Sequence, residues 1–526
     1  MGIEMGEEAE GSQNTPLDAL RSAVEADDLA LAARVVLAGW YQLLEHHGRA
    51  VVEMLGPLPI SQIKDQPLLV MLLAICYLST RVRRVRGLHL LRMAVASADS
   101  PRGTVSPLER LYIWTAQSVA LRLVGRNRGS GEVALRALKL FTGMPESEWE
   151  PYGDEIPRVC TQLGLSLFYS GQRRSAMEAW AQAAALATAR GTDNAFHSLA
   201  LLAGAHALDG DMPEAEYYAG VIRAGNWSRE LLDGYQGTFY RAAEALLALE
   251  RGDTEAASVH VSAFGPHRET SEHWVVMAAV ETRVFLQAHA PEAGLERLES
   301  LVAARGREAS RGPSRQGLSA SRIHLHLALG SIARAKRTCE QDAANMGFEG
   351  VVLAARVALA DDRPFDALRL VSRTEFVAPS SRLRAEAAAI VAAATVVTGG
   401  ASAASRSLRV LAAVLGDRQL RTPLTYLPPS DLAAISETLF LGSDGSATAV
   451  SVFPQNPRLP RLSRRERIVL QALHSGDPIP AIADDLGVSV NTVKTQMRSL
   501  YRKLDVMDRA SAISRSHQLR LLDTDL

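Results

Sequence analysis

The feature that most narrows the fold is a phrase repeated along the chain: a turn residue, then a small residue five positions later. It reads Gly129…Ala134, Gly171…Ala176, Gly210…Ala215, Gly252…Ala257, Gly330…Ala335 and Asp362…Ala367. Gly399…Ala404 is a further copy, and a degenerate His289…Gly294 fills the gap between the fourth and fifth. Successive offsets are 42, 39, 42, 37, 41, 32 and 37 residues. Such a period fits one helical hairpin per copy. The glycine ends the first helix in a left-handed conformation that side chains resist. The alanine lets the second helix pack close to the first. No hairpin buries its apolar face alone, so the units should stack into a superhelix. In the cleanest copy, residues 161–191, the packing face should be Leu163, Leu167, Ala176, Trp180 and Ala184. A non-repetitive helical domain would show this spacing only by chance, and the near-regular order of the copies argues against it.

Composition agrees with helices: 47% of residues are hydrophobic but only 5% are aromatic, and alternating β-branched runs are few. Three cysteines, Cys76, Cys160 and Cys339, lie far apart without CxxC spacing. That speaks against a disulfide framework or zinc site and fits a reducing cytosol. The first 16 residues are acidic and polar and read as a disordered tail, not a signal peptide. The longest apolar runs, such as residues 68–78, are about half of what spans a bilayer. A cytoplasmic protein with no membrane partner is expected.

The net charge of −1 hides an asymmetry. Residues 458–526 carry 12 Lys+Arg and 8 Asp+Glu, a local balance of +4, which leaves −5 for the rest. Residues 441–461 are rich in Gly, Ser and Pro and read as a linker. Beyond it, the stretch GVSVNTVKTQMRSLYRKL, residues 487–504, has no acidic residue. On a helical wheel Val490, Val493, Met497, Leu500 and Leu504 share an arc of about 80°. Asn491, Lys494, Thr495, Arg498 and Arg502 share a second, roughly 135° away. One face can pack while the other points outward. Ser463 with Glu466 reads as a capping box for a preceding helix. Gly476 and Gly487 read as helix ends, and Ser489 and Asp508 as N-caps. Two short helices, a glycine turn, a longer third helix and a fourth make a helix-turn-helix pattern. A basic outer face alone is usually just solvated; this turn pattern turns it toward DNA.

These segments resemble known families. The repeats are similar to tetratricopeptide repeats with a longer, looser period. Residues 25–78 resemble the first helices of the repeat region in large MalT-like regulators. The C-terminal stretch LSRRERIVLQALHSGDPIPAIADDLGVSVNTVKTQMRSLYRKLDVMDRASAI resembles the LuxR-type DNA-binding domain. The resemblance implies that Lys494, Thr495 and Arg498 approach bases in the major groove. It also implies that Thr492, Arg502 and Lys503 touch phosphates and that the fourth helix pairs subunits. Asn491 joins them on the exposed face. The family's Ser-Asn-x-Glu before the second helix is replaced by Pro478, Ile479, Pro480 and Ala481, with Asp477 expected to take over the cap. The common His is Gln496.

Missing are GxxxxGK[ST], HExxH and GxSxG motifs and the α/β alternation of a receiver domain. The chain resembles the C-terminal half of a MalT-like regulator, so ATP-driven switching is not expected. His46–His47 and His324/His326 do not share helix faces suited to a metal. No cofactor, metal or enzymatic activity is expected. The expected architecture is all-α: a tail over 1–16, a tetratricopeptide-like superhelix over 17–440, a flexible linker over 441–460 and a four-helix LuxR-type domain over 461–526. The expected function is a bacterial transcriptional regulator. Its expected partners are double-stranded DNA, a second copy on DNA, RNA polymerase, and an effector or protein on the repeats. The alternative is an interaction scaffold whose last domain docks on protein.

Overall fold

The computed structural model describes residues 15–78, 83–100, 105–265, 268, 271–310, 312–372, 378–398, 401–439, 449–454, 464–504 and 506–518. Among them are 31 α-helices and no strand, so the chain is all-α. None of these helices is long and apolar enough to cross a membrane. The apolar run at 68–78 lies in the helix Pro67–Leu78, which is buried on nearly every side. A helix that is hydrophobic all round belongs in a core.

The repeated phrase is a single piece of backbone geometry. Gly171, Gly210, Gly252, His289, Gly330 and Asp362 all have positive φ, between 52° and 87°. After each, the next backbone N–H reaches back to the carbonyl four residues before the turn residue, as Gln172 does to Leu167 at 2.9 Å and Arg363 to Ala358 at 2.8 Å. This is the 6→1 bond of a Schellman motif, which satisfies an otherwise orphaned helix-end carbonyl. Five positions after the turn, Ala176, Ala215, Ala257, Ala335 and Ala367 are fully buried. Gly294 plays their part in the degenerate copy. A Cβ there would lie 2.9 Å from both Leu325 and Phe285. The non-glycine turn residues are Asp and His, types that tolerate left-handed backbone better than most.

Two copies differ from expectation. In the first, Gly129 sits inside the helix Asn127–Thr142. The left-handed residue is Gly125 (φ 76°), and the buried small residue is Ser130, whose hydroxyl donates to the Ser118 carbonyl at 2.7 Å. The crowded GRNRGSG segment offered three glycines, and Ala134 is also buried one turn further on. A further copy lies at the N-terminus, between the helices Pro16–Glu25 and Leu29–Ala38. There Asp27 has φ 55° and Ala32 is fully buried. Gly399 lies outside the described residues.

Packing within copies follows the expected face. Leu163, Leu167, Ala176 and Trp180 are fully buried and Ala184 nearly so. Trp180 donates its indole N–H to the Thr161 carbonyl at 3.1 Å. It fits because Gly164 opposite has no side chain: a Cβ there would sit 2.3 Å from the indole nitrogen.

The array also touches itself across large sequence distances. Arg382, in the helix Ser381–Thr398, is 2% exposed. It donates to Glu250 at 2.9 Å and to the Ala207 carbonyl at 3.1 Å. Glu250 also accepts from the backbone N–H groups of Arg421 and Thr422, at 2.7 and 2.8 Å, and from the Thr422 hydroxyl. Nearby, Arg356 donates to Glu386 at 2.9 Å, both buried. Burial pushes the Glu386 carboxyl up, but Arg356 and Arg283 outweigh it and hold the group down at about 2. Breaking one half of such a pair strands a buried charge, so these contacts fix which helices meet.

The segment 441–460 is not loose throughout. Within the described part, Ser451, Val452 and Phe453 are buried. Val452 N–H donates to the Thr425 carbonyl at 2.9 Å, and the Ser451 hydroxyl to the Leu427 carbonyl at 2.6 Å. Phe453 meets Tyr426 edge-on at 6.4 Å. Glycine and proline content hid this Val-Phe pair from a compositional reading. At the other end Thr15 caps the helix Pro16–Glu25 through the Asp18 N–H, so ordered structure begins before residue 17.

Candidate nucleic-acid interface

The last unit has its own small core: Val469, Leu470 and Leu473 from the first helix, Ile482 and Ala483 from the second, Val493, Leu500 and Leu504 from the third, and Ala512 from the fourth. The helices run Arg464–His474, Ile479–Asp485, Val490–Leu504 and Arg509–Gln518. Gly476 (φ 85°) and Gly487 (φ 62°) supply the left-handed turns. Ser489 caps the third helix, its hydroxyl accepting from the Thr492 N–H at 3.1 Å. Asp508 caps the fourth, accepting from the Ser511 N–H at 2.8 Å. That contact holds its carboxyl below the usual range.

The third helix separates its faces as the wheel requires, with one exception. Val493, Leu500 and Leu504 are buried and Met497 packs against them, but Val490 in the first turn is 39% exposed. Asn491, Lys494, Thr495 and Arg498 are exposed, along one side of about two turns. Thr495 turns its hydroxyl back to the Asn491 carbonyl at 2.9 Å. Its methyl group and its remaining lone pair are left for a partner. Thr492 is only partly exposed, and its hydroxyl lies 2.8 Å from that of Ser489. It is part of the cap. The backbone of Arg502 and Lys503 continues the helix; their side chains lie outside the described residues.

Two bracing contacts were not legible as such. Glu466 is buried, and the Ser499 hydroxyl donates to it at 2.8 Å, tying the first helix to the back of the third. The proposed capping partner Ser463 lies outside the described residues. Arg509 donates to the Leu473 carbonyl from Nε and Nη2, at 3.1 and 2.6 Å, and to the Asp477 carbonyl from Nη1 at 2.8 Å. It clamps the fourth helix onto the end of the first. The expected Asp477 cap is corrected: the helix starts at Ile479, so the N-cap position falls to Pro478, whose side chain has no acceptor, while the Asp477 carbonyl accepts from Arg509. An amphipathic reading finds apolar contacts, not an arginine that caps a neighbouring helix.

A cationic face on a firmly seated helix can donate to phosphates and to guanine O6 and N7, while Asn can pair with adenine. Comparison with known proteins agrees in kind. Residues 460–516 match the family model described as bacterial regulatory proteins, luxR family. The chain is 51% identical over 67 residues to a probable transcriptional regulatory protein NarL of Mycobacterium tuberculosis, covering 13% of this chain and 31% of that one. It is 42% identical over 65 residues to the transcriptional regulatory protein YdfI of Bacillus subtilis, covering 12% and 30%. Over 69 residues it is 42% identical to the HTH-type transcriptional regulator MalT of Serratia proteamaculans, covering 12% and 8%. The chain thus spans under a third of the length of each of these relatives.

Proposed function

We propose, from the LuxR-family helix-turn-helix at residues 460–516, that this protein is a DNA-binding transcriptional regulator whose helical array senses an effector or a protein partner. The observation that carries the reading is the third helix. Val493 and Leu500 anchor it, while Lys494 and Arg498 stand exposed with no carboxylate partner among the described residues. In this reading Lys494, Thr495, Arg498 and Asn491 face base edges, and Arg502 and Lys503 face phosphates. Thr492 contributes through the helix cap. Two copies bind half-sites about 34–36 Å apart, and RNA polymerase is the downstream partner.

The test begins with genome-wide footprinting of the full-length protein, which yields a bound sequence. Arg498→Ala should then weaken binding to it by about 1–3 kcal/mol and relax sequence preference at one position. Lys494→Ala should lower affinity and flatten the salt dependence. Folded variants that keep wild-type affinity and salt slope would refute the assignment.

A further inference from the structure

Val490 is the apolar residue of the third helix that packing does not account for. It opens the helix Val490–Leu504 and is 39% exposed. Val493, Met497, Leu500, Tyr501 and Leu504 all belong to or rest on the small core of the domain, and Val490 does not. Every residue from Gly487 to Asn491 is exposed, so the turn and the start of the helix stand clear of the rest. Val488, also exposed, belongs to the turn, and its N–H is tied to the Ala483 carbonyl at 3.0 Å.

Placement matters more than exposure here, since single exposed apolar residues are common. Val490 lies about 40° from Lys494 and about 80° from Arg498 around the helix. Side chains four apart are neighbours on a helix surface. Val490, Lys494 and Arg498 therefore form one exposed column, with Val490 at its N-terminal end. That is the end a recognition helix brings to base edges. The first turn carries a second sign. Acidic side chains stabilise a helix start through the macrodipole, yet this turn has none. A carboxylate there would repel a nearby phosphate. A valine does not, and its branched Cβ leaves little side-chain freedom to lose when it is covered.

The target follows from chemistry. In the major groove the base edges offer hydrogen-bonding groups and one apolar group, the C5-methyl of thymine. Valine can bond to none of the former. We propose that Val490 is a specificity-determining residue that packs on a thymine methyl in each half-site. The inference rests on the reading of the third helix as facing base edges. Val490 and Arg498 are about 12 Å apart along the helix, and base pairs are stacked at about 3.4 Å. The thymine should therefore lie within about four base pairs of the position that Arg498 reads.

The experiment uses the full-length protein and the sequence that footprinting shows it to bind. Each thymine of one half-site, on either strand, is replaced singly by deoxyuridine, which removes the methyl and keeps the pairing. Wild type should lose about fourfold in affinity at one thymine, the worth of one buried methyl group. That thymine should fall in the stated window from the position relaxed by Arg498→Ala. Val490→Ala should bind the unmodified site about fourfold more weakly and be indifferent to deoxyuridine at that thymine. Thr495→Ala, which also removes a methyl from the exposed face, should keep the sensitivity. Thermal unfolding checks that the variants are folded, and the scan on wild type needs no variant at all. The proposal is overturned if no thymine in the window responds, or if folded Val490→Ala keeps the full response. Sequence-specific binding without a methyl effect sinks the valine and leaves the regulator reading standing; a protein that binds no sequence specifically sinks both.

Discussion

Glu155 sits where two pressures on a carboxylate compete. It accepts the Tyr41 N–H at 3.4 Å, yet burial pushes its carboxyl up to about 7 against the pull of Arg158. Its folded pKa is raised above the unfolded value, so the folded state holds the extra proton between about 4.3 and 7. Its contribution is therefore favourable at the acid end of that window and is lost as pH rises through it. Glu155→Gln should be more stable than wild type at about pH 8, with the gap closing toward about pH 5, as read from thermal midpoints. Gly164 raises a different issue, since an added methyl would collide with the Trp180 indole. Gly164→Ala should cost about 1–3 kcal/mol in denaturant unfolding, the usual range for overpacking. The Trp180 position was readable from spacing. Gly164 as its necessary opposite was not, because close approach between side chains of two helices leaves no mark on either helix alone.

At the scale of elements, the hairpin turn recurs with different surroundings, which permits a controlled comparison. Gly171 and Gly210 have nearly the same backbone, φ 87° and 82°. A side chain at Gly171 meets nothing within 4 Å, whereas one at Gly210 meets the backbone nitrogen of Arg382 at 2.7 Å. Gly171→Ala should cost about 1–2 kcal/mol for the left-handed residue alone. Gly210→Ala should cost clearly more, and equal losses in urea unfolding would show that the Ser381–Thr398 helix does not rest there in solution. The hairpins themselves were legible because turn and small residue are local and repeated. The misplacement at Gly129 and the overlooked Asp27 copy have one cause. The backbone asks for a left-handed residue, which glycine answers most often but Asp and His can also supply. In the helix-turn-helix, the Ser489 and Asp508 caps and the buried stripe apart from Val490 were likewise readable. The Arg509 clamp was not, since its acceptors are main-chain carbonyls with no side-chain signature.

For the molecule as a whole, the contacts that bring Arg382 to Glu250 join residues 132 apart in sequence, and no periodicity announces them. They also bear on the peptide that precedes the reader. Thr422 and Thr425, at the two ends of one short helix, meet Glu250 on one side and the Val452 N–H on the other. With residues 451–453 seated, nine residues separate Pro454 from Arg464; unseated, 24 separate Leu439 from it. A chain spans at most about 3.5 Å per residue, so the reader's range is about 35 Å in the first case and about 85 Å in the second. The shorter figure is close to one turn of the double helix. Phe453→Ala should therefore let the full-length protein tolerate half-sites moved apart by a whole helical turn, read in gel shifts on spaced sites. Unchanged spacing tolerance would mean that the seat does not govern reach. Widened tolerance would instead make Phe453 the knot on a tape measure, setting how much DNA the proposed pair of readers can measure out between them.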